Sequence, residues 1–429
     1  MNHLIQGAQV VRPNHVEAVD VLIEDGIIKK IGSPKDVGKY SIIDGSGKYL
    51  LPGFIDIHNH GAAGFDFSFG NYDMAHEIFQ NHEEAFHLGL KNALDHYRSH
   101  GVTKVLPTSM AAPLDQLKQS FSHLSSFLQT FPQYANMVHG INLEGTFLLD
   151  PYYAGAQNPD HFYPLTSSEV KEVMQAANDM IKIINIPPDH GAMALPIIKG
   201  LKRDGLVVAG GHTGAYADEF GAAVDAGLSL AVHFLNGPSR SFSKSFRGGG
   251  AVEVMLQADE VYLEIICDGY HVHPAYVRDA IARKGPDRII MITDSMFANG
   301  LRKLKSFELL GLHGTVSENG EYLQPVGKKD TLFGSVLCSD VGFQHVLHWL
   351  TTEMTGVWHR KHEALSLEAA LVQCCRFFST NPAKLLGLDH PPTGLGTGSI
   401  REGMAADLLL ARISNEGAYT FQLDQIITN

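Results

Sequence analysis

The sequence predicts an α/β fold, a (β/α)8 TIM-like barrel carrying a small β-sandwich domain built from both termini. Three observations predict it. Eight buried-strand patterns alternate with helical stretches over residues 53–393, turn-punctuated strand patterns fill residues 1–52 and 394–429, and residues suited to metal binding or proton transfer stand after the strands at one end.

Size and composition narrow the function classes. A chain of 429 residues with 44 % hydrophobic and 18 % charged residues can bury a large core. A net charge of −13 argues against a nucleic-acid surface, which needs clustered Lys and Arg, but leaves room for an anionic small substrate held by a few local cations. No apolar run reaches membrane-spanning length, and the amino end lacks a basic segment followed by an apolar core. Only four cysteines occur (Cys267, Cys338, Cys374 and Cys375), without a Cys-x-x-Cys spacing, which points to a reducing cytoplasm.

In chain order, Val19 to Ile23, Ile27 to Ile31 and Tyr40 to Ile43 read as strands joined by Glu24-Asp25-Gly26 and followed by Asp44-Gly45. The glycine-rich stretch Gly394 to Gly403 and the run Ala406 to Ile413 are their counterpart at the other end. Between them, the barrel strands are expected at Phe54 to Ile57, Val102 to Pro107, Met137 to Leu143, Ile181 to Ile186, Leu206 to Ala209, Leu228 to Val232, Val261 to Ile266 and Arg288 to Ile292. Helices are expected over Met74 to Ser99, Leu114 to Thr130, Ser167 to Asn178, Ala192 to Arg203 and Pro274 to Lys284. Gly300 to Gly334 reads as a β-rich excursion, and Ser335 to Glu353 and Leu365 to Leu386 as closing helices.

The first barrel strand ends in His58 and His60, whose side chains point the same way because they lie two apart. With 23 histidines in the chain, that pair alone means little. The joint pattern carries the weight: the third strand ends in Glu144, the fifth in His212, the sixth in His233, the seventh in Asp268 and His271, and the eighth in Asp294. Each is a metal-ligand or acid-base type, and all fall at the carboxyl ends of strands, where barrel chemistry gathers, so the joint pattern points to a metal site. His76, His82, His87 and His96 fall on a helical stretch and read as surface or packing residues.

These residues sit in recognisable surroundings. Leu51 to Gly61 (Leu-Pro-Gly-Phe-Ile-Asp-Ile-His-Asn-His-Gly), Asn142-Leu-Glu-Gly, Gly211-His-Thr, His233-Phe-Leu-Asn, Asp268-Gly-Tyr-His-Val-His-Pro and Ile292-Thr-Asp-Ser resemble the amidohydrolase superfamily. More narrowly they resemble the N-acetylglucosamine-6-phosphate deacetylase family, with Asn381-Pro-Ala-Lys and Gly398 to Asp407 similar to its tail. The resemblance covers nearly the whole chain. It implies a barrel plus a two-ended β-sandwich, with His58, His60 and Asp294 on one metal ion, His212 and His233 on a second, and Glu144 bridging. One or two divalent ions are implied, zinc or iron foremost, with manganese or cobalt also suited to imidazole and carboxylate ligands. It also implies Asp294 as the catalytic acid-base, and His271, Asn236 and Gly237 as contacts to a phosphorylated amino sugar. Arg247 stands where the family's phosphate-binding arginine is expected, supplied across a homodimer.

The expected reaction is hydrolysis of N-acetylglucosamine 6-phosphate to glucosamine 6-phosphate and acetate. Departures from the family surround the substrate rather than the metal: Thr146 replaces a usual proline, Gln157 a substrate-contacting histidine, Gly248-Gly-Gly250 a Glu-Pro-Gly, and Pro187-Pro-Asp-His190 an Ala-Pro-Glu. They leave open the galacto epimer, an N-acyl amino acid or a cyclic amide. Many amidohydrolases for the last two bridge their metals with a carboxylated lysine ending the fourth strand, whereas Lys182 lies at that strand's start. An inactive scaffold would have shed ligands, and this chain keeps all six.

Overall fold

The computed structural model describes residues 2–34, 38–236, 248–309, 311–328 and 331–428. Eight parallel strands form one sheet in sequential order: β1 (Phe54–Asn59), β2 (Val102–Ser109), β3 (Ile141–Leu143), β4 (Ile181–Asn185), β5 (Val207–Gly210), β6 (Leu228–Ala231), β7 (Tyr262–Ile266) and β8 (Ile289–Ile292). The sheet curls until β8 meets β1, where Asp294 N donates to His58 O at 2.9 Å and Asn59 bridges Ser295. The barrel is thus nearly closed, and its last seam is made by the residues that carry the predicted ligands.

Each strand is buried on both faces, as parallel strands flanked by helices must be. Alternate residues go to different cores. Ile55, Ile57, Ile183, Ile290 and Ile292 fill the barrel interior, while Phe54, Ile184, Ile289 and Met291 pack outward against helices. Those helices are α1 (Glu83–Ser99), α2 (Leu114–Thr130), α3 (Ser167–Ala176), α4 (Ala194–Arg203), α5 (Ala217–Ala226), α6 (Ala251–Gln257), α7 (Pro274–Lys284), α8 (Ser339–Thr351) and α9 (Leu367–Cys375). Apolar side chains plug the tube from within, so polar chemistry is confined to its end. No helix among the described residues is long and apolar enough to cross a membrane.

Strands from both ends of the chain share a seven-stranded sheet with its own apolar cluster, including Ile5, Val21, Leu50, Ile400 and Leu410. Leu408–Asn415 pairs antiparallel with Tyr49–Pro52, the strand that leads directly into β1. Between the two lies Gly53, where a Cβ would stand 2.3 Å from the Thr103 side chain, so only glycine lets β1 and β2 start side by side.

Two expectations change. The helix expected from Met74 starts only at Glu83, capped by His82, because residues 61–80 form a four-stranded antiparallel sheet. Asp73 accepts the N–H groups of Ala75 at 2.8 Å and His76 at 3.3 Å and folds a turn where the periodicity suggested a helix. The third strand is shorter than expected, since Met137 and Val138 are held in a turn by Tyr134 O. The excursion after β8 is β-rich as expected, with Ser306–Leu309, Leu312–Val316 and Leu323–Pro325 in one antiparallel sheet.

Candidate active site

At three rim positions the backbone adopts the left-handed region without glycine: His212 (φ 50), His233 (φ 25) and Asp294 (φ 51). Such residues cost about 1–2 kcal/mol each and persist where surrounding bonds over-determine them. Here they are over-determined. Asn185 Oδ1 accepts Gly211 N at 3.1 Å, Glu264 Oε2 accepts His233 N at 3.1 Å, and Ser335 N donates to Asp294 O at 2.8 Å. The sharp turn at each strand end aims the side chain over the barrel mouth.

His58, His60, Glu144, His212, His233 and Asp294 all converge there, each essentially buried. Glu144 Oε1 lies 3.0 Å from both His212 Nε2 and His233 Nε2, and these two nitrogens lie 3.0 Å from each other. Asp294 Oδ1 lies 3.2 Å from His60 Nε2 and 3.5 Å from His58 Nε2. Two overlapping ligand triads result, His58–Glu144–His233 and His58–His60–Asp294.

The far ring nitrogens decide what faces inward. His58 Nδ1 donates to Glu264 Oε2 at 2.9 Å, His60 Nδ1 to Thr108 O at 3.2 Å and His212 Nδ1 to Tyr153 O at 2.9 Å. With those protons committed, the Nε2 atoms present lone pairs to one another and to carboxylate oxygens. His58 Nε2 has no hydrogen-bond partner although it is fully buried. Lone pairs facing lone pairs are stable only around a cation. The surrounding charge favours a cation there: burial opposes charging His58, yet Glu264 and Glu144 outweigh it and raise its pKa well above the ordinary histidine range, so without an ion that ring would take up a proton instead. Burial likewise pushes the Glu144 carboxyl up, but His58, His212 and His233 hold it well below the usual carboxylate range. The donor set therefore fits one or two divalent ions of the zinc or iron class.

No family model matches the chain. Individual proteins do. It is 29 % identical over 324 residues to an N-acetylglucosamine-6-phosphate deacetylase of Lysinibacillus sphaericus, covering 76 % of this chain and 77 % of the relative. It is 28 % identical over 390 residues to an N-acetylgalactosamine-6-phosphate deacetylase of Escherichia coli O157:H7, covering 90 % and 89 %. Its fold matches an N-acetylglucosamine-6-phosphate deacetylase variant from Mycobacterium smegmatis, solved with N-acetylglucosamine 6-phosphate, with a TM-score of 0.80 at 24 % identity over 100 % of this chain and 98 % of that one. The chain is thus similar over most of its length to N-acetylated amino-sugar 6-phosphate deacetylases, which are amidohydrolases. The candidate metal site lies in a cavity of about 500 Å³, lined among others by Tyr152, Leu235, Asn236, Tyr270 and Met296.

The residues expected at the substrate divide into three groups. His271 reaches the cavity wall, and its Nδ1–H donates to Asp268 Oδ2 at 2.6 Å, leaving a buried Nε2 without a partner. Asn236 also lines the cavity, while Gly237 and Arg247 lie outside the described residues. Gln157 reaches the metal site itself: its Nε2 donates to Glu144 Oε2 at 2.6 Å and its Oε1 accepts Ala111 N at 2.6 Å. The residue that departs from this deacetylase family's histidine thus spends both ends of its amide on protein groups. Asp189, another departure, accepts Thr213 Oγ1 and Gly214 N, each at 2.9 Å, and so ties the turn after β4 to the loop that carries His212.

Sequence reasoning missed Glu264. It stands in the middle of β7, fully buried, and holds both the His58 ring and the His233 backbone. The signal was present, since an acid inside the apolar run Tyr262-Leu-Glu-Ile-Ile266 is tolerated only when something pairs with it.

Proposed function

We propose that this amidohydrolase removes the acetyl group from an N-acetylated amino-sugar 6-phosphate, N-acetylglucosamine 6-phosphate first among them. The observation that carries it is the convergence of committed imidazoles and two carboxylates, with lone pairs inward, beneath a cavity of monosaccharide size. His58, His60 and Asp294 would hold one ion and His212 and His233 a second, with Glu144 available to both. A divalent ion bound there polarises the amide carbonyl and acidifies water.

The chain's own residues supply the rest. Asp294 turns Oδ1 toward His58 and His60, so its other oxygen, Oδ2, is the atom placed to take a proton from the attacking water. The same carboxyl returns that proton to the amine nitrogen as the C–N bond breaks, because an amine leaves poorly as an anion. Acetate carries away the new C–O bond. His271, fixed through Nδ1 by Asp268, offers Nε2 to the sugar or its phosphate. Arg247, donated across a cytoplasmic homodimer, would meet the phosphate as a bidentate fork.

Acetate release from metal-loaded protein tests this, comparing N-acetylglucosamine 6-phosphate, its galacto epimer and unphosphorylated N-acetylglucosamine. A kcat/KM for one phosphorylated epimer far above the unphosphorylated sugar supports the reading and assigns the sugar. Equal rates with and without phosphate overturn the phosphate assignment, and no release from any of the three overturns the deacetylase assignment.

A further inference from the structure

Away from the barrel mouth, a second cluster of metal-binding side chains joins α1 to the start of α8. His96 lies in the last turn of α1 and His100 caps it, four residues on, so the two rings share a face with centroids 4.7 Å apart. Cys338 precedes α8, and its Sγ lies 3.6 Å from His96 Nε2. Asn299, from the segment after β8, places Oδ1 3.3 Å from each of those atoms. A ring nitrogen of His100 completes the group, all three His and Cys ligand atoms lying within 4.8 Å of one another. Asp340 Oδ1, 2.9 Å from His100 Nδ1, adds a carboxylate beside them.

We propose that His96, His100 and Cys338 form an accessory site for a zinc-class ion, with Asn299 Oδ1 at the fourth corner, that braces α1 against α8. The geometry suits that ion. Bonds of ~2.0 Å to nitrogen and ~2.3 Å to sulfur, opened to a tetrahedral angle, separate the two ligand atoms by about 3.5 Å, close to the 3.6 Å between His96 Nε2 and Cys338 Sγ. His96, His100 and Cys338 are half-buried, so the ion has an entrance. The brace leads to the catalytic rim: Asn299 Nδ2 donates to Ser295 Oγ at 3.0 Å, and Ser295 O accepts His60 N at 2.7 Å.

Cobalt(II) titration of the full chain distinguishes this site from the rim, because none of the six rim ligands is a cysteine. Wild type is expected to develop a near-ultraviolet thiolate-to-cobalt charge-transfer band that saturates at a single equivalent. The band is expected to vanish in Cys338→Ser and to fall sharply in His96→Gln, while the visible bands of rim-bound cobalt persist. Absence of the band at saturating cobalt, or its survival in Cys338→Ser, overturns the proposal. Should Cys338→Ser fail to fold, zinc protection of the wild-type thiol decides: the other three cysteines are buried, so zinc must slow labelling of the half-exposed Cys338, and unchanged labelling overturns the site.

Discussion

Replacing Glu264 by glutamine should weaken binding of the catalytic ion by about ten- to a hundredfold, or roughly 1.4–2.7 kcal/mol. The magnitude comes from the two groups that Glu264 holds. Its Oε2 accepts both His58 Nδ1 at 2.9 Å and His233 N at 3.1 Å, so a single buried carboxylate fixes one ligand's tautomer and another's backbone. Glutamine keeps one acceptor but loses the charge, and its NH2, if turned to His58, would push that ring's proton onto Nε2 and spoil the ligand. Glu264→Leu should do worse, because it leaves both donors unsatisfied in a fully buried place. The assay is competition for zinc against a chromophoric chelator, with circular dichroism as the control for folding. An affinity for the Glu264→Gln protein within twofold of wild type would refute the claim that β7 orients the metal ligands.

Three further substitutions probe other parts of the same structure. Asp294→Asn should lower kcat by at least ~10² in an acetate-release assay, and a much smaller loss would remove Asp294 from proton transfer. Gln157→Leu leaves Glu144 Oε2 and Ala111 N without partners, so urea denaturation should show a loss of about 1–3 kcal/mol for each; unchanged stability would mean that water replaces the amide. Burial, followed by Lys182 and Lys104, lowers the His139 pKa to about 4 from an ordinary value of 6.5. Between those limits the unfolded chain takes up a proton that the native state refuses, so native stability falls as pH falls. His139→Gln should therefore gain up to about 3 kcal/mol relative to wild type on going from pH 7 to pH 4, and a pH-independent difference would contradict the shift.

The barrel was legible because its strands announce themselves twice, by apolar runs and by the polar residue that closes each run at the rim. His58, Glu144, His212, His233 and Asp294 stand far apart in sequence, yet each closes such a run, and the fold brings them to one mouth. Residues 61–80 were not legible as strands, since Phe79 and Phe86 also fit a helical spacing and the deciding bond is a local turn at Asp73. Glu264 escaped because attention falls on strand ends, and the direction in which each imidazole presents its lone pair depends on Thr108, Tyr153 and Glu264, which only the tertiary structure brings close. The His96–His100–Cys338 cluster was hidden for the same reason: more than two hundred residues separate its parts.

The most direct test of metal-dependent deacetylation is acetate release from N-acetylglucosamine 6-phosphate by chelator-stripped protein as zinc, iron(II), manganese or cobalt is returned. Negligible hydrolysis is expected in the stripped protein, with recovery that tracks ion occupancy of the rim and with His58→Ala and His233→Ala failing to recover. Full hydrolysis by stripped protein shown to hold no metal would contradict a metal-dependent mechanism.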